Sequence, residues 1–259
     1  MSKNNLNFKQ RLHNAAGSVE VENVKARHSL LHTRADATTE FGGIWAHNDD
    51  TSWAHLFGRM RGFDQVWYGV VNHYDEMAMQ NWLKMHNIYP EVAGKDPRPL
   101  MEASVHTLAT DIIEVAEDGM SARAAFMTPG VIHSVLTPDE KKYCGILWER
   151  YGADFVYEND RWLYIHEHVC PDIGSELDSI DWAADDYKKR VDPVAENPGP
   201  PEGWGPQYLA DLGPLHNMHS VVQPPQNTCP WPEPYNTLDN DNTYTVPLKY
   251  TYTPTSVRS

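Results

Sequence analysis

Cysteine is scarce in this chain. The 259 residues contain three, Cys144, Cys170 and Cys229. They are too widely spaced for a disulfide framework and suit a reducing compartment, the cytoplasm by default. Long apolar runs are also missing. No stretch approaches the ~18 residues of a membrane helix, and the opening MSKNNLNFKQ has neither the apolar core nor the cleavage site of a signal peptide. Positive charge is in deficit, with 21 basic against 36 acidic residues and a formal charge of -15. Phosphate backbones and anionic lipid repel such a chain, so neither nucleic acid nor a membrane surface is an expected partner. Lys141-Lys142 and Lys188-Lys189-Arg190 are too short to alter that balance and read as solvated helix ends. The sequence has no glycine-rich phosphate loop, no nucleophile elbow, no Cys–His signature and no internal repeat.

Aromatic residues, by contrast, are plentiful. Nine Trp and thirteen Tyr suit pockets and interfaces as well as cores. The most informative stretch runs from Ala103 to Val169 and reads as two long hairpins. Glu117-Asp118-Gly119 punctuates the first, and Tyr157-Glu158-Asn159-Asp160 the second. Alternation places Val105, Ala109, Ile113 and Val115 on one face of the first strand and His106, Leu108, Thr110 and Ile112 on the other. Continued through both hairpins, one face of the sheet carries His106, Thr128, Trp162, Tyr164, His166 and His168. Ahead of the strands lie two helical regions. The first starts at Ser18 and runs to about Ala35, with Val24, Leu31 and Ala35 on one stripe and His28 and His32 beside it. The second spans Phe63 to Met85, with Trp67, Tyr68 and His73 on or beside its stripe. Helices first and a strand meander afterwards make an α+β chain.

Beyond Cys170-Pro171 the character changes. Asp181 to Val191 reads as one short helix, acidic at its start and basic at its end. From Pro193 onward the chain is rich in Pro, Asn and Thr, yet too aromatic for a typical disordered tail. It reads as an extended arm packed on the domain or on a neighbouring subunit, with Trp204, Trp231, Tyr235 and Tyr244 as anchors. The expected organisation is a flexible N-terminus (1–17), a main domain (18–170) and a C-terminal helix with a Pro-rich arm (171–259).

Three segments together resemble one family. DDTSWAHLFGRMRG, the strand motif VHTLATDIIEVAEDGMSARAAF, and the final acidic turn and tryptophan of ENDRWLYIHEH are similar to the SnoaL-like branch of the nuclear transport factor 2-like superfamily, over residues 18–170. The resemblance implies a cone-shaped, curved mixed sheet wrapped around N-terminal helices (an α+β barrel) with a deep pocket. The family holds dehydratases, polyketide cyclases, isomerases, lyases of lignin-derived aromatic dimers and non-catalytic binding modules, so fold alone does not assign function. By its dehydratase pattern His106 matches the strand histidine and Asp36 the helix aspartate that orients it. The helical tyrosine expected before that aspartate is absent; His32-Thr33 stands in its place, which makes His32 a substitute.

A histidine with an ordinary pKa near 6.5 can give and take a proton at physiological pH, and a carboxylate on one ring nitrogen assigns the chemistry to the other. His106 and Asp36 are therefore the expected catalytic pair. Tyr68, Trp67, His32, Tyr151, Tyr164 and His166 are the expected substrate-binding residues. His166-x-His168 has metal-ligand spacing, as does His216-x-x-His219 with Cys229, but each set is incomplete and neither predicts a metal. The function expected is a cofactor-independent lyase of dehydratase or formaldehyde-eliminating type, acting on a hydroxylated aromatic, lignin-like small molecule. An isomerase or cyclase in the same pocket and a non-catalytic binding or assembly module are the alternatives. A homo-oligomer, dimer or trimer, with contacts through the C-terminal arm is the expected assembly.

Overall fold

The computed structural model describes residues 6–33, 36–55, 58–72, 102–134, 143–176, 215–216, 229–239 and 241–246. Helix α1 (Phe8–Thr33) begins well before the expected start at Ser18. The cause is a reciprocal cap: the Asn7 N–H donates to Gln10 Oε1 at 3.0 Å and the Gln10 N–H to Asn7 Oδ1 at 3.1 Å. One face of α1 is buried through Asn14, Gly17, Val21, Val24, Lys25 and His28, so its apolar stripe turns polar toward the C-terminus. Asp36 caps helix α2 (Ala37–Ile44), its Oδ1 accepting from the Thr39 N–H at 3.2 Å. Strands β1 (Ser52–His55) and β2 (Gly58–Arg61) follow, then α3 (Phe63–Val66), which runs into a π-helical turn at Trp67–Asn72. The rest of the second helical region, His73 included, lies outside the described residues, as do the Asp181–Val191 helix and Trp204. No helix among the described residues is long and apolar enough to cross a membrane.

Five strands complete the fold: β3 (Glu102–His106), β4 (Ala109–Val115), β5 (Ser121–Ser134), β6 (Tyr143–Glu158) and β7 (Arg161–Glu176). They form one seven-stranded sheet in the order β2-β1-β7-β6-β5-β3, with β4 also paired to β5. The β1–β7 pair is parallel and the others are antiparallel, so this is an α+β fold with a curved, mixed, unclosed sheet. Both predicted turns are present. Gly119 adopts φ 73°, and Asn159 and Asp160 adopt φ 51° and 59°, the left-handed pair that a two-residue hairpin between Glu158 and Arg161 requires. The main core lies between the helices and the sheet and joins Val21, Val24, Phe41 and Trp45 to Phe126, Phe155, Trp162 and Tyr164.

Two irregularities decide which side chains face that core. At the junction of β3 and β4 the pairing with β5 shifts between Ala109 and Ile112, and Thr110 adopts φ 60°. The slip brings His106 and Leu108 onto the same face as Ile113 and Val115 and leaves Ile112 exposed. On β7, Tyr164 pairs with Phe155 but His166 pairs with Asp154, so Ile165 is an extra residue, a β-bulge that reverses the alternation. Trp162 and Tyr164 face the core before it, and Val169 faces the core after it. His166 and His168 consequently lie on the opposite, outer face, contrary to simple alternation, and Glu167 turns inward in their place.

The outer face is covered by the C-terminal arm. Asp154, fully buried, accepts from Arg123 Nε (3.1 Å), His166 Nδ1 (3.1 Å) and the Tyr244 N–H (3.0 Å). Arg123 Nη2 also donates to Asn242 O, and its guanidinium sits 4.7 Å from the Tyr235 ring centroid. Tyr235 and Tyr244 are thus anchors, as expected; Trp231 is 62 % exposed and is not. Gly152 on β6 leaves the space that the Tyr244 ring fills, since a Cβ there would meet Tyr244 Cδ1 at 2.2 Å. Gly152→Ala is expected to cost ~1–3 kcal/mol by overpacking and to free the arm to trypsin. Gly152→Ala combined with Tyr244→Ala should cost less than the sum of the two changes, which a double-mutant cycle of thermal melts would measure.

Candidate active site

Between the helices and the concave face of the sheet sits a string of buried imidazoles, carboxylates and phenols. His106, at the end of β3, is 5 % exposed. It is placed by its strand's pairing to β5, opposite Gly130, and by Ser29 of α1, whose hydroxyl donates to the His106 carbonyl. The His106 ring leans across β5 over Gly130, where an added Cβ would meet Nδ1 in ordinary contact at 3.5 Å. The ring thereby reaches β6, where His106 Nδ1 is 3.1 Å from Glu149 Oε2 and 3.2 Å from the Tyr151 hydroxyl. That hydroxyl donates to the same Glu149 oxygen at 2.7 Å.

With the single Tyr151 proton on Glu149, the tautomer that suits this triangle carries its proton on His106 Nδ1, donating toward the same carboxylate, and Nε2 is then the nitrogen suited to acid–base chemistry. Burial pushes the Glu149 carboxyl up, but His106, with His55 and the Tyr151 hydroxyl, outweighs it and holds Glu149 below the usual range. Burial and the Glu149 charge push Tyr151 well above an ordinary phenol, so it stays neutral and is a hydrogen-bond donor.

A second cluster adjoins the first through ring contacts. His32 meets His106 edge to face with centroids 4.9 Å apart, and stacks on His28 at 5.8 Å. His28 and His32 lie one turn apart on α1, and both face Glu40 of α2, with Nδ1–oxygen distances of 2.7 Å and 3.7 Å. His28 Nε2 is 3.8 Å from Glu167 Oε1 on β7. Burial opposes charge on His28, yet Glu167 and Glu40 together overcome it and raise its pKa to about 9. The same pairing, against burial, holds Glu40 down to about 2. Glu167 has the weaker share of His28, and burial, with the Glu40 charge added, lifts it to about 7. The Tyr164 ring lies 5.4 Å from His28 and 5.2 Å from Trp45. Its buried hydroxyl, like Thr128 Oγ1, has no hydrogen-bond partner among the described residues.

The structure therefore gathers His106, His32, Tyr151 and Tyr164 into one region and separates the other expected site residues from it. Asp36 is a helix cap. The carboxylate beside His106 is Glu149, an acid that alternation along β6 could have put forward but the helix-aspartate pattern did not. His166 faces the arm, with Nδ1 on Asp154 and Nε2 3.0 Å from Asp50 O. Trp67 packs on Phe63 (5.8 Å) and against Gly42 of α2, as part of the apolar core, and Tyr68 is half-buried on the same turn. His28, Glu40 and Glu167 were not expected. A helical i, i+4 histidine pair was the available signal for the first; Glu167 had none, because the bulge at Ile165 cannot be read from the alternation it breaks.

No protein-family model matches the chain, and no curated protein matches it. Among solved structures, it is similar to a nuclear transport factor 2-like superfamily protein from Salmonella enterica, at 17 % identity and TM-score 0.41, over 61 % of this chain and 92 % of that one. It is also similar to the hexachlorocyclohexane dehydrochlorinase LinA-type3 from Novosphingobium barchaimii, at 10 % identity and TM-score 0.43, over 67 % and 97 %. At TM-scores below 0.5 these likenesses carry no weight for chemistry, which rests on the side chains themselves.

The shifted groups give stability a definite pH dependence. His28, raised from 6.5 to about 9, contributes stability fully below pH 6.5 that is lost as pH rises through 9. Glu167, raised from 4.5 to about 7, acts in the same direction from pH 4.5 upward. Glu40, lowered from 4.5 to about 2, contributes above pH 4.5 and loses its share as pH falls through 2. The cluster's contribution should peak near pH 4.5 and decline on both sides. Thermal melts across pH should show the acid limb flattened in Glu40→Gln; an unchanged profile in that variant would refute the assignment.

Proposed function

We propose that this chain is a cofactor-independent acid–base enzyme of the lyase class, which eliminates water or a comparable oxygen group from a hydroxylated aromatic small molecule. The observation that carries the reading is the buried His106–Glu149–Tyr151 triangle, in which one ring nitrogen is tied to a carboxylate and the other is assigned to proton transfer. In the elimination, His106 Nε2 takes a proton from carbon, and the electron pair left behind forms the new double bond as the neighbouring C–O bond breaks. The departing oxygen leaves with a proton. Tyr164 suits that donation, its hydroxyl buried and without a hydrogen-bond partner among the described residues. Glu149 stabilises the imidazolium formed at His106, and the His32–His28–Glu40 string offers a route for returning the proton. Phe126, stacked on Tyr151 at 5.0 Å, and Trp45, stacked on Tyr164, supply flat apolar surface of the kind an aromatic ring prefers. Formaldehyde loss from a diaryl propanoid differs in its first operation: the base takes the proton from the hydroxymethyl oxygen, the C–C bond breaks to release formaldehyde, and the electron pair of that bond forms the double bond as the neighbouring C–O bond breaks.

One observation favours a second reading. Phe41, Trp45 and Tyr164 stack in a column, with Phe155 tilted against it, and such a packed interior also suits a non-catalytic binding module.

Turnover separates the two. Phenolic β-hydroxy compounds should yield conjugated products with the wild-type chain, followed by their ultraviolet absorbance. His106→Ala should lower the rate ~10²–10⁴-fold with the far-ultraviolet circular dichroism unchanged, and Glu149→Gln should lower it less. Binding without turnover in the wild type selects the module; proton exchange at carbon without loss of an oxygen group selects an isomerase. Full turnover by His106→Ala removes the mechanism.

A further inference from the structure

On the outer face of the sheet, away from the His106 cluster, two incomplete ligand sets of the sequence become one. His166 leaves the first set because both its ring nitrogens already face acceptors. His168 and Cys170, two apart on β7, project on the outer side, and the arm brings His216 and Cys229 to meet them. His168 Nε2 is 3.0 Å from His216 Nδ1, and Cys170 Sγ is 3.1 Å from Cys229 Sγ. One ligand atom each from His168, Cys170 and His216 lies within 4.8 Å of the others. Cys229 Sγ also lies 3.6 Å from the His168 carbonyl. All four residues are buried.

Hydrogen bonding alone does not account for this burial. The two imidazoles share a single contact, and His168 Nδ1 and His216 Nε2 are buried without a hydrogen-bond partner among the described residues, whereas buried polar groups are ordinarily satisfied. Two sulfurs and two imidazoles converging from different segments are, however, the donor set of a borderline-soft divalent metal. Zinc–ligand bonds of ~2.0–2.3 Å in a tetrahedron set facing nitrogens ~3.3 Å apart and facing sulfurs ~3.8 Å apart. The observed nitrogens are ~0.3 Å closer than that and the sulfurs ~0.7 Å closer, differences that side-chain rotation covers. Hard oxygen-seeking cations such as Mg²⁺ find no carboxylate in the set.

We infer that His168, Cys170, His216 and Cys229 bind a zinc ion in a closed, four-ligand structural site that fastens the C-terminal arm to the outer face of the sheet. Four protein ligands leave no open position, so the ion is structural and takes no part in the chemistry assigned to His106. The ligands come two from a strand and two from the arm, so loading the metal and docking the arm are one event.

The untagged full-length chain, expressed with zinc and without added chelator, should carry about one zinc per chain by elemental mass spectrometry. Cobalt(II) exchanged into it should give the visible absorption of a tetrahedral thiolate complex. Cys170→Ser and His216→Ala should each lose the metal, while His106→Ala keeps it. Chelation should lower the thermal midpoint of the wild type and expose the arm to trypsin, with both reversed by zinc. His216→Ala lies outside the sheet, so its melt also reports whether the domain remains folded when the site is lost. A metal-free wild type that takes up no cobalt, a Cys170–Cys229 disulfide in place of the metal, or zinc retained at full stoichiometry in Cys170→Ser/Cys229→Ser would each overturn the assignment.

Discussion

The whole arrangement depends on one extra residue in one strand. Ile165 has no partner on β6, and the slip it introduces exchanges the faces of the residues that follow on β7 as far as Pro171, where a second register shift begins. Without it, Glu167 would face the arm, and His166, His168 and Cys170 would face the helices. With it, the concave side receives a carboxylate to pair with His28, and the convex side receives the imidazoles and the thiol that the arm engages. Because side chains alternate with a period of two, no gentler distortion could separate the two chemistries so completely.

Electrostatic pairing is the second constraint, and it follows from the first. Glu40, Glu149 and Glu167 are all buried, a burden that a carboxylate bears only beside a positive or donating partner. Each has an imidazole neighbour, but the shares are unequal. Glu149 has the His106 ring and a phenol, and Glu40 has two rings from one helix. Glu167 is left with the distant nitrogen of His28 and is the one pushed upward. The same inequality makes the cluster useful chemically. A uniform set of tight ion pairs would be inert, whereas a graded set keeps one proton loosely held within a few ångströms of aromatic surface. The convex side uses the same logic at Asp154, shared by a guanidinium, an imidazole and a backbone amide.

Much of the fold was legible in the sequence because it rests on local chemistry. Gly119 and the Asn159-Asp160 pair announce their hairpins, the order of helices and strands gives the class, and the aromatic content of the C-terminal segment identifies an arm that packs. His106 was legible as an inward-facing strand residue. What stayed hidden needed information that alternation cannot hold. The Thr110 and Ile165 irregularities are visible only in the pairing, so His166 was assigned to the wrong face and Glu167 to none. Asp36 was expected beside His106, yet its short side chain turns back to the Thr39 amide, as an N-cap position favours. Glu149 reaches the ring instead, from across two strands. The helix start was missed for a smaller reason: Asn7 and Gln10 form a capping box with Asn and Gln in place of the usual Ser and Glu.

The arm also bears on where the chain can change length. It leaves the sheet at Glu176 and is back in contact by His216, and the Cys170–Cys229 contact spans 59 residues of sequence. The entropy of closing a flexible loop grows only with the logarithm of its length, ~0.6 kcal/mol for each doubling. By that measure, a connection of a different length between those two points would cost the arm little, provided it still returns to the same strand. Variation in length should concentrate between those two points, with the residues on either side held constant by what they touch.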